Sequence, residues 1–399
     1  MTLGLTEEAL KGFDDGLATV IIFFDLSAAF DTIDIEKLLE ILHDEIGVRD
    51  NALQWFKSFL SGRSQRVKID GSYSDSLENK CGTAQGSTIG PKLFNINVRS
   101  QPLAFKKCTF STSSFADDSN GRKQFALSFQ FQVLKYDITE CMGRIVTWSN
   151  SHFMKINPEK TEIMVLCPKE MNSDQIIKGV FIGDQCIRFS DCVKNVGVWL
   201  DKNLTFEQHI NQRVSHCYKI LRDIGRVKFY LTKEHLESLV HAVLSSRLDY
   251  CNILFMNLAE DSIFQLQKLQ NAAAKLILGR VKRDSASQAL QDLHWLNIKS
   301  RIVFKIVLTV YKMLNGLCPP IIELNFKEGR SGELLLLETP TFKTKYGKRL
   351  FAYNGPRLWN AIPLGIKISD NAEVFKKQLK TFLFSDYDNF IKNAYVYCE

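Results

Sequence analysis

Hydrophobic and polar positions in the first half of the chain alternate between unbroken apolar runs and helical spacing. Val20-Ile21-Ile22-Phe23-Phe24 is a continuous apolar run that stops at Asp25, the pattern of a buried strand carrying a carboxylate at its C-terminal end. Ile35, Leu38, Leu39, Leu42 and Ile46 then recur at helical spacing, with Asp34 placed as an N-cap and Gly47 as a terminator. A second helix is predicted over residues 51–60, and residues 62–71 read as a turn followed by a strand of alternating character. A Gly-rich stretch, residues 81–91, leads into a helix at 93–98. Residues 107–115 are rich in Thr, Ser and aromatics and predict an extended segment, and Asp117-Asp118-Ser119-Asn120-Gly121 predicts a tight turn after it. Residues 128–149 read as a helix, and strands follow at 163–166, 180–182 and 193–200.

Beyond residue 200 the period becomes helical. Thr205-Phe206-Glu207-Gln208 matches a capping box. The helix after it places Ile210, Val214, Cys217, Leu221 and Ile224 on one face and Lys219, Arg222 and Arg226 on the other. Helical spacing continues to about residue 315, where Pro319-Pro320 breaks it, and a last helix is predicted near 374–384. The predicted layout is α+β, helices packed on an antiparallel sheet, followed by a mostly helical region. There is no internal repeat and no low-complexity linker.

Composition sets the class. The chain has 399 residues, 45% hydrophobic and 24% charged, which is globular with room for two or three domains. No apolar run of about 18 residues is present, and the N-terminus has no charged-then-apolar signal pattern. The ten cysteines are scattered without a Cys-x-x-Cys pair, which predicts reduced thiols in an intracellular protein and argues against zinc. Charge is uneven: residues 201–399 hold 29 Lys and Arg against 19 Asp and Glu, whereas residues 1–200 hold 22 against 25. A basic second half suits either a polyanionic partner or an ordinary solvated surface.

The candidate chemistry lies in the carboxylates. A hairpin carrying Asp117 and Asp118 beside the strand that ends at Asp25 would gather three acidic groups, which repel unless a cation such as Mg²⁺ neutralises them. The pair alone is not diagnostic, since Phe13-Asp14-Asp15 holds a second adjacent aspartate pair. Backbone N–H groups of the Gly-rich loop suit a phosphate or a closely approaching nucleotide. Arg63, Arg66 and Lys68 suit either phosphate contact or a solvated hairpin. Lys219, Arg222 and Arg226 suit a nucleic-acid backbone or solvent.

These residues together resemble the reverse transcriptase of non-LTR, LINE-type retrotransposons, in particular the jockey and chicken-repeat-like groups. Phe24-Asp25-Leu26-Ser27-Ala28-Ala29-Phe30-Asp31 resembles the first catalytic motif of that family. Gln85-Gly86-Ser87-Thr88-Ile89-Gly90-Pro91 resembles the second, and Phe115-Ala116-Asp117-Asp118 resembles the polymerase signature, more often written with Tyr first. The similarity continues through Trp55-Phe56-Lys57-Ser58-Phe59-Leu60-Ser61-Gly62-Arg63-Ser64-Gln65-Arg66 and Asn157-Pro158-Glu159-Lys160-Thr161-Glu162. It extends through Asn195-Val196-Gly197-Val198-Trp199-Leu200-Asp201, Ser246-Arg247-Leu248-Asp249-Tyr250-Cys251-Asn252, Leu293-His294-Trp295-Leu296 and Leu358-Trp359-Asn360, nearly the whole chain.

The resemblance implies a right-hand polymerase fold: a palm with partial fingers over 1–200, a helical thumb-like region over 201–290 and a basic C-terminal region over 291–399. It implies an RNA-directed DNA polymerase that extends a primer 3′-OH with dNTPs on an RNA template. Asp25, Asp117 and Asp118 would be catalytic and would bind two Mg²⁺ ions, with Mn²⁺ as an alternative. Phe30, Gln85, Gly86 and Lys160 would meet the incoming nucleotide, with Phe30 under its sugar. Gly197, Val198, Trp199 and Leu200 would position the primer, and Arg63, Arg66, Lys219, Arg222 and Arg226 would meet the nucleic-acid backbone. Location would be nuclear during integration and otherwise cytoplasmic, with no membrane association. The chain departs from the family pattern at Ala84, where Pro is usual, and at Ser119-Asn120-Gly121-Arg122, which replaces Thr-Gln-Leu-Tyr. Asp25 lies close to the start of the chain, which implies an N-terminally truncated copy. A catalytically inactive remnant that only binds nucleic acid is the alternative.

Overall fold

The computed structural model describes residues 1–84, 86–106, 108–126, 131–170, 179–182, 185–327, 335–385 and 390–391. The chain divides into two compact units. The first comprises residues 18–196, and the second joins residues 2–17 to residues 197–399.

The first unit is built on a four-stranded sheet. Its strands are β1 (Leu17–Phe24), β2 (Ser111–Phe115), β3 (Asp118–Ala126) and β4 (Glu162–Leu166), arranged in the order β2-β3-β1-β4. β1 and β4 pair antiparallel from Thr19↔Leu166 to Phe23↔Glu162, and β2 and β3 pair antiparallel from Ser111↔Arg122 to Phe115↔Asp118. Every residue of β1 after Leu17 is buried, which is why its sequence is an unbroken apolar run rather than an alternating one. Ala18, Val20, Ile22 and Phe24 join one core with the helices, whose apolar faces recur at helical spacing. In the helix Phe131–Ser151 those residues are Leu134, Ile138, Cys141, Met142, Ile145 and Trp148.

The helix after β1 starts as predicted, with the Asp34 carboxylate accepting from the Lys37 N–H at 2.8 Å. It runs Ile35–Glu40, widens into a π turn at Ile41–Glu45 and stops before Gly47, at φ 82°. The 51–60 prediction is met by the helix Asp50–Leu60, and the 93–98 prediction by the helix Gly90–Asn97. One turn falls earlier than predicted. The β2–β3 loop is only Ala116-Asp117, with Ala116 at φ 52°, so Asp118 to Gly121 are strand residues.

The second unit is helical. Its longer helices are Glu207–Val227, Glu260–Ile277, Ile298–Leu314, Phe351–Ala361 and Ala372–Ser385. The helix Glu260–Ile277 packs on Glu207–Val227 and also on Ile298–Leu314, so the expected division at 290 runs through one packed body. The N-terminal helix Thr2–Asp14 belongs to this unit. Its Glu7 carboxylate accepts from the Phe351 and Ala352 N–H groups, and Phe13 meets the Tyr346 ring edge-on at 5.2 Å.

Two local expectations are corrected here. The single strand predicted over 193–200 is two strands, Cys192–Asn195 and Val198–Asp201, because Val196 and Gly197 take φ of 45° and 75° and turn the chain. The capping box at Thr205 does not form, since Phe206 is the N-cap residue and makes no side-chain cap. Asp201 instead gathers the N–H groups of Thr205 at 2.9 Å and Phe206 at 2.7 Å. Among the described residues no helix is long and apolar enough to cross a membrane.

Candidate active site

Asp25 is the first residue after the buried strand β1, so the backbone that carries it is fixed by the core behind it. The following turn ties it down further. Ser27 N–H donates to the Lys155 carbonyl at 2.8 Å, and Asn157 N–H donates to the Asp25 carbonyl at 2.9 Å. Asn157 also organises its own turn. Its side-chain oxygen accepts from Glu159 N–H at 3.1 Å, and its carbonyl accepts from the Thr161 N–H and hydroxyl. That turn carries Lys160, whose Nζ stands 3.9 Å from Asp25 Oδ2.

The second arm is the β2–β3 hairpin. Its two-residue loop puts Ala116 in the left-handed region, which costs a non-glycine residue about 1–2 kcal/mol. Such local strain is characteristic of functional sites. Asp117 is exposed in the loop and Asp118 opens the strand that lies next to β1. The unusual residues after Asp118 are knit into the sheet. Ser119 Oγ accepts from Gln101 Nε2 at 3.1 Å, and the Arg122 guanidinium donates to Ser113 Oγ at 2.6 Å and Asn120 Oδ1 at 3.0 Å. At Gly121 a Cβ would lie 2.4 Å from the Phe105 ring, so glycine there lets the ring cover the strand.

The charges of both arms reach Asp118. Partial burial raises the Asp118 carboxyl above the usual range, and the like charges of Asp117 and then Asp25 raise it further. Asp118 thus lies within reach of both other carboxylates, and the Lys160 ammonium stands beside Asp25. Among the described residues, no three His, Cys, Asp or Glu side chains are drawn together closely enough to form a ready metal cage. The donor set itself, hard oxygens under mutual repulsion, fits a hard divalent cation.

Phe30 is half-buried, its ring 4.6 Å from the Phe94 ring and tilted by 31°. The segment holding it is clasped by the Gly-rich loop. Gly82 N–H donates to the Ile33 carbonyl at 2.7 Å and Thr83 N–H to the Phe30 carbonyl at 3.0 Å. Gly82 has φ 86°, and a Cβ there would meet the Asp31 carbonyl at 2.9 Å. Gly82 belongs to the Gly-rich stretch 81–91, and its part in holding the Phe30 segment follows from the long-range bridge between Asp34 and Cys81. Ser87 N–H donates to the Ala84 carbonyl at 3.1 Å across a turn with Gly86 at φ 81°. Gln85 lies outside the described residues.

The remaining predicted site residues differ in their surroundings. Arg63 is engaged locally, Nε donating to the Phe59 carbonyl and the guanidinium lying 4.4 Å over the Phe59 ring, whereas Arg66 is exposed. In the second unit Gly197 is exposed at its turn, Val198 and Leu200 are buried, and Trp199 is half-buried. Lys219, Arg222 and Arg226 share the exposed face of Glu207–Val227, with Arg226 3.2 Å from Asp223.

The sequence profile of the family described as reverse transcriptase (RNA-dependent DNA polymerase) matches residues 4–200, the stretch that holds all three carboxylates. Residues 4–200 are a reverse transcriptase domain. The chain is 26% identical over 306 residues to the probable RNA-directed DNA polymerase from transposon BS of Drosophila melanogaster, covering 68% of this chain and 30% of that protein. It is also 26% identical over 293 residues to the probable RNA-directed DNA polymerase from transposon X-element, covering 69% and 30%. To the RNA-directed DNA polymerase from mobile element jockey it is 26% identical over 159 residues, covering 39% and 17%. These relatives bear out the LINE-type resemblance, and the chain spans less than a third of their length. Among solved structures, apo telomerase from Candida tropicalis matches with a TM-score of 0.39 and 13% identity, covering 99% of this chain and 56% of that one. Telomerase from Candida albicans in complex with a TWJ fragment of telomeric RNA matches with a TM-score of 0.33 and 12% identity, covering 75% and 51%. A likeness at these scores is too distant to carry an argument.

Proposed function

We propose that the reverse transcriptase domain is an RNA-directed DNA polymerase that extends a primer 3′-OH with dNTPs. What supports this reading is the geometry of the sheet: Asp25 follows β1, and Asp118 opens the adjacent strand β3 directly after Asp117. Asp25, Asp117 and Asp118 would hold Mg²⁺, or Mn²⁺ in its place, and such ions favour an ionised 3′-hydroxyl and neutralise the leaving pyrophosphate. The carboxylates repel one another, so the site favours cations in proportion to how poorly the protein itself answers their charge. Lys160, beside Asp25, brings one positive charge to the place where a triphosphate would stand. Phe30, whose ring lies against Phe94, is assigned to the sugar of the incoming nucleotide, and Gln85 and Gly86 to the new base pair.

In the second unit we assign Gly197, Val198, Trp199 and Leu200 to the primer end. Lys219, Arg222 and Arg226, with Arg63 and Arg66 of the first unit, are assigned to phosphates, which makes binding salt-dependent. Residues 201–290 would act as the thumb and 291–399 as a basic C-terminal region within the one packed body. We assign the chain to the nucleus during integration and to the cytoplasm otherwise. The intact carboxylate set weighs against a remnant that only binds nucleic acid.

The test is primer extension on an RNA template by the purified chain and by Asp117→Asn. Asp117 is exposed in a loop, so the substitution removes a charge without disturbing the core. Extension is expected to fall on the order of 10³-fold with an unchanged thermal melt. Equal extension by the two proteins would overturn the assignment.

A further inference from the structure

Residues 197–200, assigned to the primer end, are held by side chains from two later stretches of the second unit. The first stretch is the helix Glu207–Val227. His209 lies in its first turn and is 4% exposed, and its Nδ1 accepts the Trp199 backbone N–H at 3.3 Å. A backbone N–H can only donate, so Nδ1 carries no proton and the ring is neutral. Burial, and after it the Arg213 charge, pushes the His209 pKa down to about 3, which keeps that acceptor available near neutral pH. Among the described residues Nε2 has no hydrogen-bond partner, so the polar contact of the ring is with Trp199.

The second stretch holds Tyr250, which nucleotidyl transfer leaves unused. Its ring stands beside Gly197, 3.6 Å from where a Cβ would lie, and Gly197 takes φ 75°. Tyr250 is itself fixed. Arg213 Nη1 donates to its carbonyl at 2.9 Å, and the same guanidinium lies 5.5 Å from the centre of the Phe255 ring. His209 and Arg213 are four residues apart on one helix and share a face. That face therefore reaches the segment twice, directly at Trp199 and through Tyr250 at Gly197. Asp201, the next residue, ties the start of the helix to the same segment through the Thr205 and Phe206 N–H groups.

Nucleotidyl transfer needs the primer 3′-oxygen in line with the incoming phosphate, and a misplacement of about 1 Å costs on the order of 10²-fold in rate. A backbone segment that holds a primer end must therefore be stiff. Resting on the assignment of residues 197–200 to the primer end, we propose that His209 and Tyr250 are positioning residues for the primer 3′ terminus, acting through Trp199 and Gly197.

The experiment crosslinks the full chain to an RNA template annealed to a DNA primer whose 3′-terminal nucleotide is 4-thiothymidine. Trypsin cuts after Lys194 and Lys202, so crosslinks to the segment are read in the peptide 195–202. Fluorescence anisotropy measures affinity for the same duplex in parallel. His209→Leu fills the buried space without an acceptor, and His209→Asn places an amide oxygen where Nδ1 stands. Tyr250 is 44% exposed, so Tyr250→Ala removes its ring with little disturbance of the core. The 195–202 crosslink is expected to fall about fivefold in His209→Leu, the weight of one neutral hydrogen bond, and to recover in His209→Asn. It should fall in Tyr250→Ala as well, with duplex affinity unchanged in all three variants. Packing alone predicts the opposite order at His209, since Leu suits a buried site better than Asn. A crosslink kept by Leu and lost by Asn would overturn the role of His209, and a crosslink unchanged in Tyr250→Ala would overturn that of Tyr250. Both results leave the primer assignment intact. Absence of a wild-type crosslink in 195–202 would overturn the primer assignment and this inference with it. Should His209→Leu fail to fold in a thermal melt, His209→Asn and Tyr250→Ala decide the matter.

Discussion

Replacing Glu7 by Gln is expected to abolish a pH dependence of stability in the second unit. Glu7 is 9% exposed, and its two oxygens accept from Phe351 N–H at 2.5 Å and Ala352 N–H at 3.1 Å at the start of the helix Phe351–Ala361. Burial raises its pKa from 4.5 to about 7, against the pull of those two hydrogen bonds. The folded state therefore binds the proton more tightly than the unfolded state. Between pH 4.5 and about 7 the folded state carries more protons, so stability falls as pH rises through that window. The contribution is fully present below pH 4.5 and gone above about 7. A pKa raised from 4.5 to about 7, at 1.36 kcal/mol per tenfold change in proton affinity, amounts to about 3 kcal/mol. Gln cannot ionise, so Glu7→Gln lacks this slope. Gln also has one acceptor oxygen where Glu has two, which leaves one N–H unpaired at a cost of about 1–3 kcal/mol at every pH. The variant should be the weaker protein near pH 5 and equal or stronger near pH 8. Urea denaturation across that range measures the difference, and amide exchange at Phe351 and Ala352 localises it. A difference between the two proteins that stays constant with pH would refute the reasoning.

Gly82→Ala should destabilise the first unit, since the new Cβ would lie 2.9 Å from the Asp31 carbonyl at a φ of 86°. A left-handed alanine costs about 1–2 kcal/mol before any clash, which is a fall of about 3–8 °C in a thermal melt; an unchanged melt would contradict the close approach. Phe30→Val should raise the ratio of ribonucleotide to deoxyribonucleotide incorporation, because a smaller side chain leaves room for a 2′-hydroxyl. It should also cost about 1–2 kcal/mol through lost packing on Phe94, so a destabilised variant with an unmoved ratio would make Phe30 a packing residue alone.

Much of the fold was legible because burial writes itself into local periodicity. β1 appears as an apolar run since both of its faces are covered, and the helix after Asp34 appears with its cap because capping is a three-residue matter. Turn chemistry misled where long-range contacts intervened. Asp118-Ser119-Asn120-Gly121 has the composition of a turn, yet it forms strand because Gln101, Phe105, Ser113 and Arg122 occupy its polar groups and its glycine. Thr205 looked like a cap and was displaced by Asp201, which reaches the same amides from the strand before. Neither partner can be found by reading neighbours along the chain.

The two adjacent aspartate pairs, Asp14-Asp15 and Asp117-Asp118, show what the sequence alone could not separate. Asp14 ends the N-terminal helix, where its carboxylate accepts from Lys343 N–H at 3.2 Å and from the Thr344 N–H and hydroxyl at 2.7 Å. Burial alone would raise its proton affinity, but the hydrogen bonds from Thr344, Lys343 and Gly347 outweigh it and hold the carboxyl below the usual range. Asp118 moves the other way, raised first by burial and then by Asp117 and Asp25. A carboxylate whose charge is met by backbone donors is a strut, and it has no remaining preference for a cation. One whose neighbours are also carboxylates keeps that preference. The donors that settle the matter for Asp14 lie more than 300 residues away in sequence, so the distinction lives in the packing of the second unit and not in the aspartate pair itself.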